Sequence, residues 1–119
     1  MKINKIDSQL TFGTKVDSKF IESAERFYVS RNLPIQMDKF KKTVQKLDLY
    51  GNNTSTVFHN RMIDNGKFIN ALFLKNPEIN KTQAVVIAKA ERFSDMLRFF
   101  TGLDDSKIEK YEEILGSAD

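Results

Sequence analysis

The chain has 119 residues, no cysteine and a formal net charge of +3. Without cysteine it cannot form a disulfide, a thiolate metal site, an iron–sulfur cluster or a cysteine nucleophile. Apolar residues make up 40% of the sequence and aromatic residues 11%, which is enough to build a buried core. The length predicts a single domain over residues 1–119, with a flexible polar start over residues 1–8.

The start of the chain and its hydropathy bear on the compartment. The first residues lack the apolar run of a secretory signal peptide. No stretch approaches the run of about 20 apolar residues that spans a bilayer. These features predict a soluble, cytoplasmic protein with no membrane partner, while export by a route that uses no signal peptide stays open.

The first structured segment is expected at residues 9–16, where Leu10, Phe12 and Val16 alternate loosely with polar residues. Such alternation is typical of a short strand, with Gly13 at a β-bulge. An ordered tail without sheet pairing fits the pattern equally well.

Two helices are predicted next. The first begins after Asp17, a favourable N-cap residue, and ends near Arg31, because Pro34 disfavours helical backbone at the residue before it. The second spans about residues 36–50, and Gly51 is placed to cap its C-terminus. Apolar residues at helical spacing give each helix one stripe: Phe20, Ala24, Phe27 and Tyr28 in the first, and Phe40, Val44 and Leu47 in the second.

A β-hairpin follows, because Asn65 and Gly66 tolerate the positive φ angles of a type I′ turn and stand between two apolar runs. This turn pairs Asp64 with Lys67 and fixes the register. One strand face then carries Phe58, Asn60, Met62, Ile69, Ala71 and Phe73. The other carries Val57, His59, Arg61, Ile63, Phe68, Asn70, Leu72 and Leu74. We expect the first face to be the core face, since the second is mixed.

A third strand is expected over residues 82–88, where three β-branched residues run from Val85 to Ile87. The alternative is one long helix from Lys81 to Thr101, since apolar residues here also fit helical spacing. If the strand forms, a helix follows over about residues 91–101, and Asp104 caps a last helix that ends near Gly116.

These elements define an α+β fold. It is a small three-stranded antiparallel meander packed with about four helices, with the N-terminal segment as an optional fourth edge strand. The helices are expected on the face led by four apolar residues, namely Phe58, Ile69, Phe73 and Val85.

The mixed face is the first candidate binding site. His59 and Arg61 share that face two residues apart, and Asn70 lies opposite Arg61. Such a patch can hold an anion or a polar ligand, or support a hydrolytic reaction. A polar sheet face that contacts solvent or a helix explains the same pattern.

The second candidate is a basic face on the second helix, where Lys39, Lys42 and Lys46 align. Such a face can bind phosphate groups of nucleic acid weakly. Asp38 and Asp48 dilute the charge, however, and a solvated helix face accounts for it as well. Nucleic acid is therefore a less favoured partner.

Catalytic and cofactor motifs do not stand out. His59 is the single histidine, so an ordinary structural zinc site is not expected. The sequence has no Gly-rich phosphate loop, no G-x-S-x-G elbow and no H-E-x-x-H motif. We therefore expect no metal and no cofactor, and we favour a non-catalytic module that binds a protein partner or itself.

One resemblance concerns the start of the chain. The segment from Phe12 to Lys15 reads Phe-Gly-x-Lys after a polar opening. With the predicted layout of helices and meander, it resembles the opening of many short uncharacterised bacterial proteins. The resemblance implies a bacterial source and brings no function with it.

Overall fold

The computed structural model describes residues 14–50 and 54–118. Within them the chain forms four strands and four helices. In chain order these are β1 (Lys15–Val16), α1 (Ser18–Ser30), α2 (Pro34–Tyr50), β2 (Thr56–Asp64), β3 (Lys67–Lys75), β4 (Ala84–Ala90), α3 (Phe93–Thr101) and α4 (Asp105–Ser117). The α+β class and the helices on both sides of a meander in sequence are as predicted.

The antiparallel part of the sheet follows the predicted register. Asn65 and Gly66 have φ angles of 52° and 77°, as a type I′ turn requires. Asp64 pairs with Lys67, and every pair down to Thr56 with Lys75 follows from it. Strand β4 adds to the far side of β3. The third strand is thus confirmed, and the single long helix over these residues is wrong.

The fourth strand is short and lies at the edge of the sheet beside β2. Lys15 and Val16 pair with Thr56 and Val57 in parallel, which makes the sheet mixed rather than wholly antiparallel. The extended segment predicted over residues 9–16 is confirmed at its last two residues. Its earlier part, with Leu10, Phe12 and Gly13, lies outside the described residues, as does Gly51.

The helices pack on one face of the sheet, and it is not the face we expected. Val57, Leu72, Leu74 and Ile87 join the core from the sheet. From the helices come Phe20, Ala24, Tyr28, Phe40, Leu47, Met96, Leu97, Phe100 and Ile108. Of the four residues predicted to lead the core face, Val85 packs against this cluster, whereas Phe58, Ile69 and Phe73 are not part of it.

The physical reason lies in how the polar residues of the mixed face are accommodated. His59 and Asn70 hydrogen-bond to each other, so the sheet can bring them under the helices without leaving them unpaired. Phe58 and Phe73 stack on the opposite face, with their ring centroids 5.2 Å apart. Ile69 and Ala71 are nevertheless buried on that side, so both faces of the sheet carry buried apolar surface.

Two predicted helix caps differ in outcome. The Asp104 carboxylate accepts a hydrogen bond from the Lys107 backbone N–H at 3.0 Å, which caps α4. This bond, with a second from Ser106, lowers the pKa of Asp104 below its ordinary value. Asp17 occupies the N-cap position of α1 but makes no side-chain capping bond. Helix α4 continues to Ser117, past the predicted stop at Gly116.

A buried polar network joins α4 to the base of the sheet. Asn76, at the end of β3, is fully buried and donates from Nδ2 to the Ser55 hydroxyl at 3.1 Å. Its Oδ1 accepts from the Glu78 backbone N–H at 3.0 Å. The Ser55 hydroxyl in turn donates to the Glu112 carboxylate on α4. Because buried polar groups are costly when unpaired, this network holds α4 against the sheet.

Candidate functional site

His59 lies under the helical layer. Its ring is half-buried, 5.4 Å from the Phe93 ring and 6.0 Å from the Phe20 ring, measured between centroids. Its Nε2 is 2.9 Å from Asn70 Oδ1, and Asn70 Nδ2 donates to the Glu91 carbonyl at 3.1 Å. Since the amide oxygen can only accept, Nε2 carries the proton. These bonds orient the imidazole and link β2, through Asn70 on β3, to the segment between β4 and α3.

Arg61 behaves differently from its two predicted neighbours. It lies opposite Asn70 in the sheet, as predicted, but it is exposed. Its guanidinium carbon lies 5.4 Å from the centroid of the Phe68 ring. The structure thus brings His59 and Asn70 into contact, whereas Arg61 makes a cation–π contact toward the turn. An anion or hydrolytic site that uses all three remains a prediction.

The turn end of the β2–β3 hairpin carries an exposed apolar pair. Ile63 and Phe68 are directly opposite each other, and they are 63% and 66% exposed. Strand β4 ends at Ala90, which pairs with Asn70, so the turn end of the hairpin extends beyond the end of β4. We call Arg61, Ile63 and Phe68 the hairpin end. These three side chains are on the same face that the helices cover nearer the base of the sheet.

Two ion pairs tie this turn to the end of β4. Lys67 Nζ is 3.6 Å from a Glu91 carboxylate oxygen, and Lys89 Nζ is 3.5 Å from an Asp64 carboxylate oxygen. All four side chains are solvent-exposed to a large extent, so each pair contributes at most about 1 kcal/mol.

The lysine face of α2 is exposed, as predicted, but acidic residues lie near two of its members. Lys42 Nζ is 3.1 Å from an Asp38 carboxylate oxygen one turn earlier. Lys46 is close enough to Asp104 for its charge to favour the ionised carboxylate. Lys39 points toward the gap between helices instead. Nucleic-acid binding by Lys39, Lys42 and Lys46 remains a prediction.

That gap between helices is a groove that the sequence did not indicate. It has a volume of about 430 Å³ and lies between α1, α2 and α3. We call it the Tyr28 groove, and its lining includes Phe27, Tyr28, Leu33, Lys39, Leu97 and Arg98. In the sequence, Tyr28 appeared only as part of an apolar stripe, because the groove exists only once three helices are packed.

Metal binding has no candidate in the described part of the chain. Residues 14–50 and 54–118 contain no group of three or more histidine, cysteine, aspartate or glutamate side chains placed to hold an ion. No helix in the same ranges combines the length and the apolar character needed to cross a membrane. Comparison with protein-family models, curated proteins and solved structures gave no match.

Proposed function

We propose that the protein is a protein-interaction module that binds its partner through the hairpin end. The observation that carries this proposal is the exposure of Ile63 and Phe68, which are about two thirds exposed and directly opposite each other. Single apolar residues on a surface are ordinary. A cross-strand pair that extends past the core, beside an arginine, has the composition of an interface centre.

The backbone at the hairpin end offers a second means of attachment. Among the described residues, β2 pairs with β1 only at Thr56 and Val57, and β3 pairs with β4 only from Asn70 onward. The turn end of the hairpin therefore has strand edges that make no ladder pairing within those residues. An extended segment of a partner can hydrogen-bond to such an edge while its side chains contact Ile63 and Phe68.

The partner is either a second copy of this chain or a different protein. Sedimentation velocity over a range of concentrations tests the first, and affinity capture from the native host followed by mass spectrometry tests the second. The informative variants are Phe68→Ser and Ile63→Ser. A matched control is Val29→Ser, because Val29 is 67% exposed but belongs to α1 rather than to the hairpin.

The expected result is that the wild type and Val29→Ser behave alike, either as a concentration-dependent dimer or with the same captured protein. Phe68→Ser and Ile63→Ser should each weaken that association by about tenfold or more, since interface-centre side chains commonly contribute over 1 kcal/mol. Far-UV circular dichroism should show that all variants fold. Association that is unaffected by both hairpin variants would contradict the proposal.

A further inference from the structure

One wall of the Tyr28 groove is the buried side chain of Tyr28 itself. Tyr28 is only 5% exposed. Its ring packs against the rings of Phe27 and Phe40 at centroid distances of 5.8 and 5.9 Å. No described residue provides a hydrogen-bond partner for its hydroxyl. Buried tyrosine hydroxyls normally find a partner, and Tyr28 lines a concave site, so a molecule bound there can supply the acceptor.

The charged residues that line the groove are basic, although one of them, Arg98, forms an ion pair with Asp95. Lys39 and Arg98 line it. The Arg31 guanidinium carbon lies 4.1 Å from the centroid of the Phe27 ring, which also lines the groove. None of the residues lining it is acidic. Arg98 Nη1 donates to Asp95 at 3.4 Å, which occupies one of its five N–H groups and leaves the others available. The rim therefore favours an anion.

The remaining walls are partly apolar and partly polar, since Gln36, Ser94 and Thr101 line the groove as well. Phe27, Leu33 and Leu97 contribute apolar surface. The volume of about 430 Å³ lies within the range of about 300–1,000 Å³ that is usual for small-molecule sites. Burial raises the pKa of Tyr28 above its ordinary value, so its hydroxyl remains protonated and can donate throughout the physiological pH range.

We propose that the Tyr28 groove binds a small carboxylate with an apolar or aromatic body. The carboxylate accepts a hydrogen bond from the Tyr28 hydroxyl and is attracted by Lys39 and Arg98, while the body packs against Phe27, Leu33 and Leu97. A carboxylate fits better than a phosphate, because Tyr28 is the one buried side chain with a donor among the described residues that line the groove, and Phe27, Leu33 and Leu97 give the body apolar surface. A phosphate needs several donors to replace its hydration.

This site shares no residue with the hairpin end, so carboxylate binding can be tested separately from the proposed interaction with a protein partner. The test is a titration of the full chain with 2-naphthoate, followed by ¹H–¹⁵N correlation spectra. A neutral analogue of the same size, 2-naphthalenemethanol, measures what the charge contributes. Inorganic phosphate tests whether an anion without an apolar body binds at the groove.

Four proteins are compared: wild type, Tyr28→Phe, Lys39→Gln and Lys41→Gln. Tyr28→Phe removes the hydroxyl and keeps the ring. Lys41→Gln is the matched control, because Lys41 is exposed on the same helix but does not line the groove. We expect saturable shifts with 2-naphthoate in the wild type, concentrated at the amides of Tyr28, Leu33, Leu97 and Arg98.

The neutral analogue should bind about tenfold more weakly, and Tyr28→Phe should weaken 2-naphthoate by about tenfold, because a hydrogen bond to a charged group is lost. Lys39→Gln should weaken it about threefold, as expected for an exposed cation, and Lys41→Gln should leave it unchanged. Phosphate should give no saturable shifts at these amides.

A second readout separates binding from a structural role. Removing an unpaired buried hydroxyl does not cost stability, so Tyr28→Phe without ligand should unfold at the same temperature as the wild type or higher. The proposal is overturned if 2-naphthoate gives no saturable shifts at the groove. It is equally overturned if the neutral analogue binds as tightly, or if Tyr28→Phe binds 2-naphthoate as well as the wild type.

Discussion

The two ends of the β2–β3 hairpin present the same kind of residue pair to very different surroundings. At the base, Val57 is opposite Leu74, and both are fully buried beneath helices. Near the turn, on the same face, Ile63 is opposite Phe68, and both are about two thirds exposed. The alternation of apolar residues is alike at both ends. What differs is whether a helix covers the strand, so apolar character alone does not separate core from binding surface.

The largest expected effect tests whether the helical core that covers the base of the hairpin carries the stability. Phe100 is fully buried, with its ring 5.0 Å from that of Phe40 and 5.3 Å from that of Phe20. Phe100→Ala should lower the free energy of unfolding by about 3–5 kcal/mol. Phe68→Ala should change it by less than about 0.5 kcal/mol in the monomer. Urea denaturation at low protein concentration measures both, and equal losses would show that the hairpin end is also buried.

An intermediate effect is expected at the polar network under the base. Asn76→Ala removes the amide that bonds Ser55 and the Glu78 N–H inside the protein, and should cost about 1–3 kcal/mol. Asn60 is exposed, and among the described residues its side chain bonds one group, the backbone N–H of Arg61. Asn60→Ala is therefore the control, with a change within about 0.5 kcal/mol. Thermal unfolding measures both variants, and equal unfolding temperatures for Asn76→Ala and Asn60→Ala would show that the base does not depend on Asn76.

The smallest effect concerns the turn that positions the hairpin end. A Cβ at Gly66 would meet no atom within 4 Å, so the cost of Gly66→Ala comes from its φ of 77° alone and should be about 1 kcal/mol. Gly102 has a φ of −92°, and its Cβ would make an ordinary contact 3.5 Å from the Phe99 carbonyl. Gly102→Ala should thus be close to neutral. Chemical denaturation measures both variants, and a larger loss of unfolding free energy for Gly102→Ala than for Gly66→Ala would contradict the type I′ geometry.

Elements that depend on local chemistry were predictable from the sequence. Asn65 and Gly66 specify their turn whatever surrounds them, and the turn then sets the register of both strands. Asp104 was expected to cap α4 because a carboxylate before a helix can bond the free N–H groups of its first turn. The β-branched run from Val85 to Ile87 indicated β4 in the same local way.

The side of the sheet that receives the helices was not predictable in that way. Both faces of the hairpin carry enough apolar residues to serve as a core, and the presence of His59 and Asn70 on one of them favoured the wrong choice. We had expected burial of these polar side chains to be costly. They bond each other, and Asn70 also bonds the Glu91 carbonyl, so they are not left unpaired. The Tyr28 groove could not be predicted either, because it depends on how α1, α2 and α3 pack.

The parallel pairing of β1 with β2 has a consequence for the order in which the chain folds. The Asp64–Lys67 pair closes across a two-residue turn, whereas the Lys15–Thr56 pair closes a loop that contains both α1 and α2. Longer loops lose more entropy on closure, so contacts between distant residues form late. The hairpin can therefore form first, and the N-terminal strand joins a sheet that already exists.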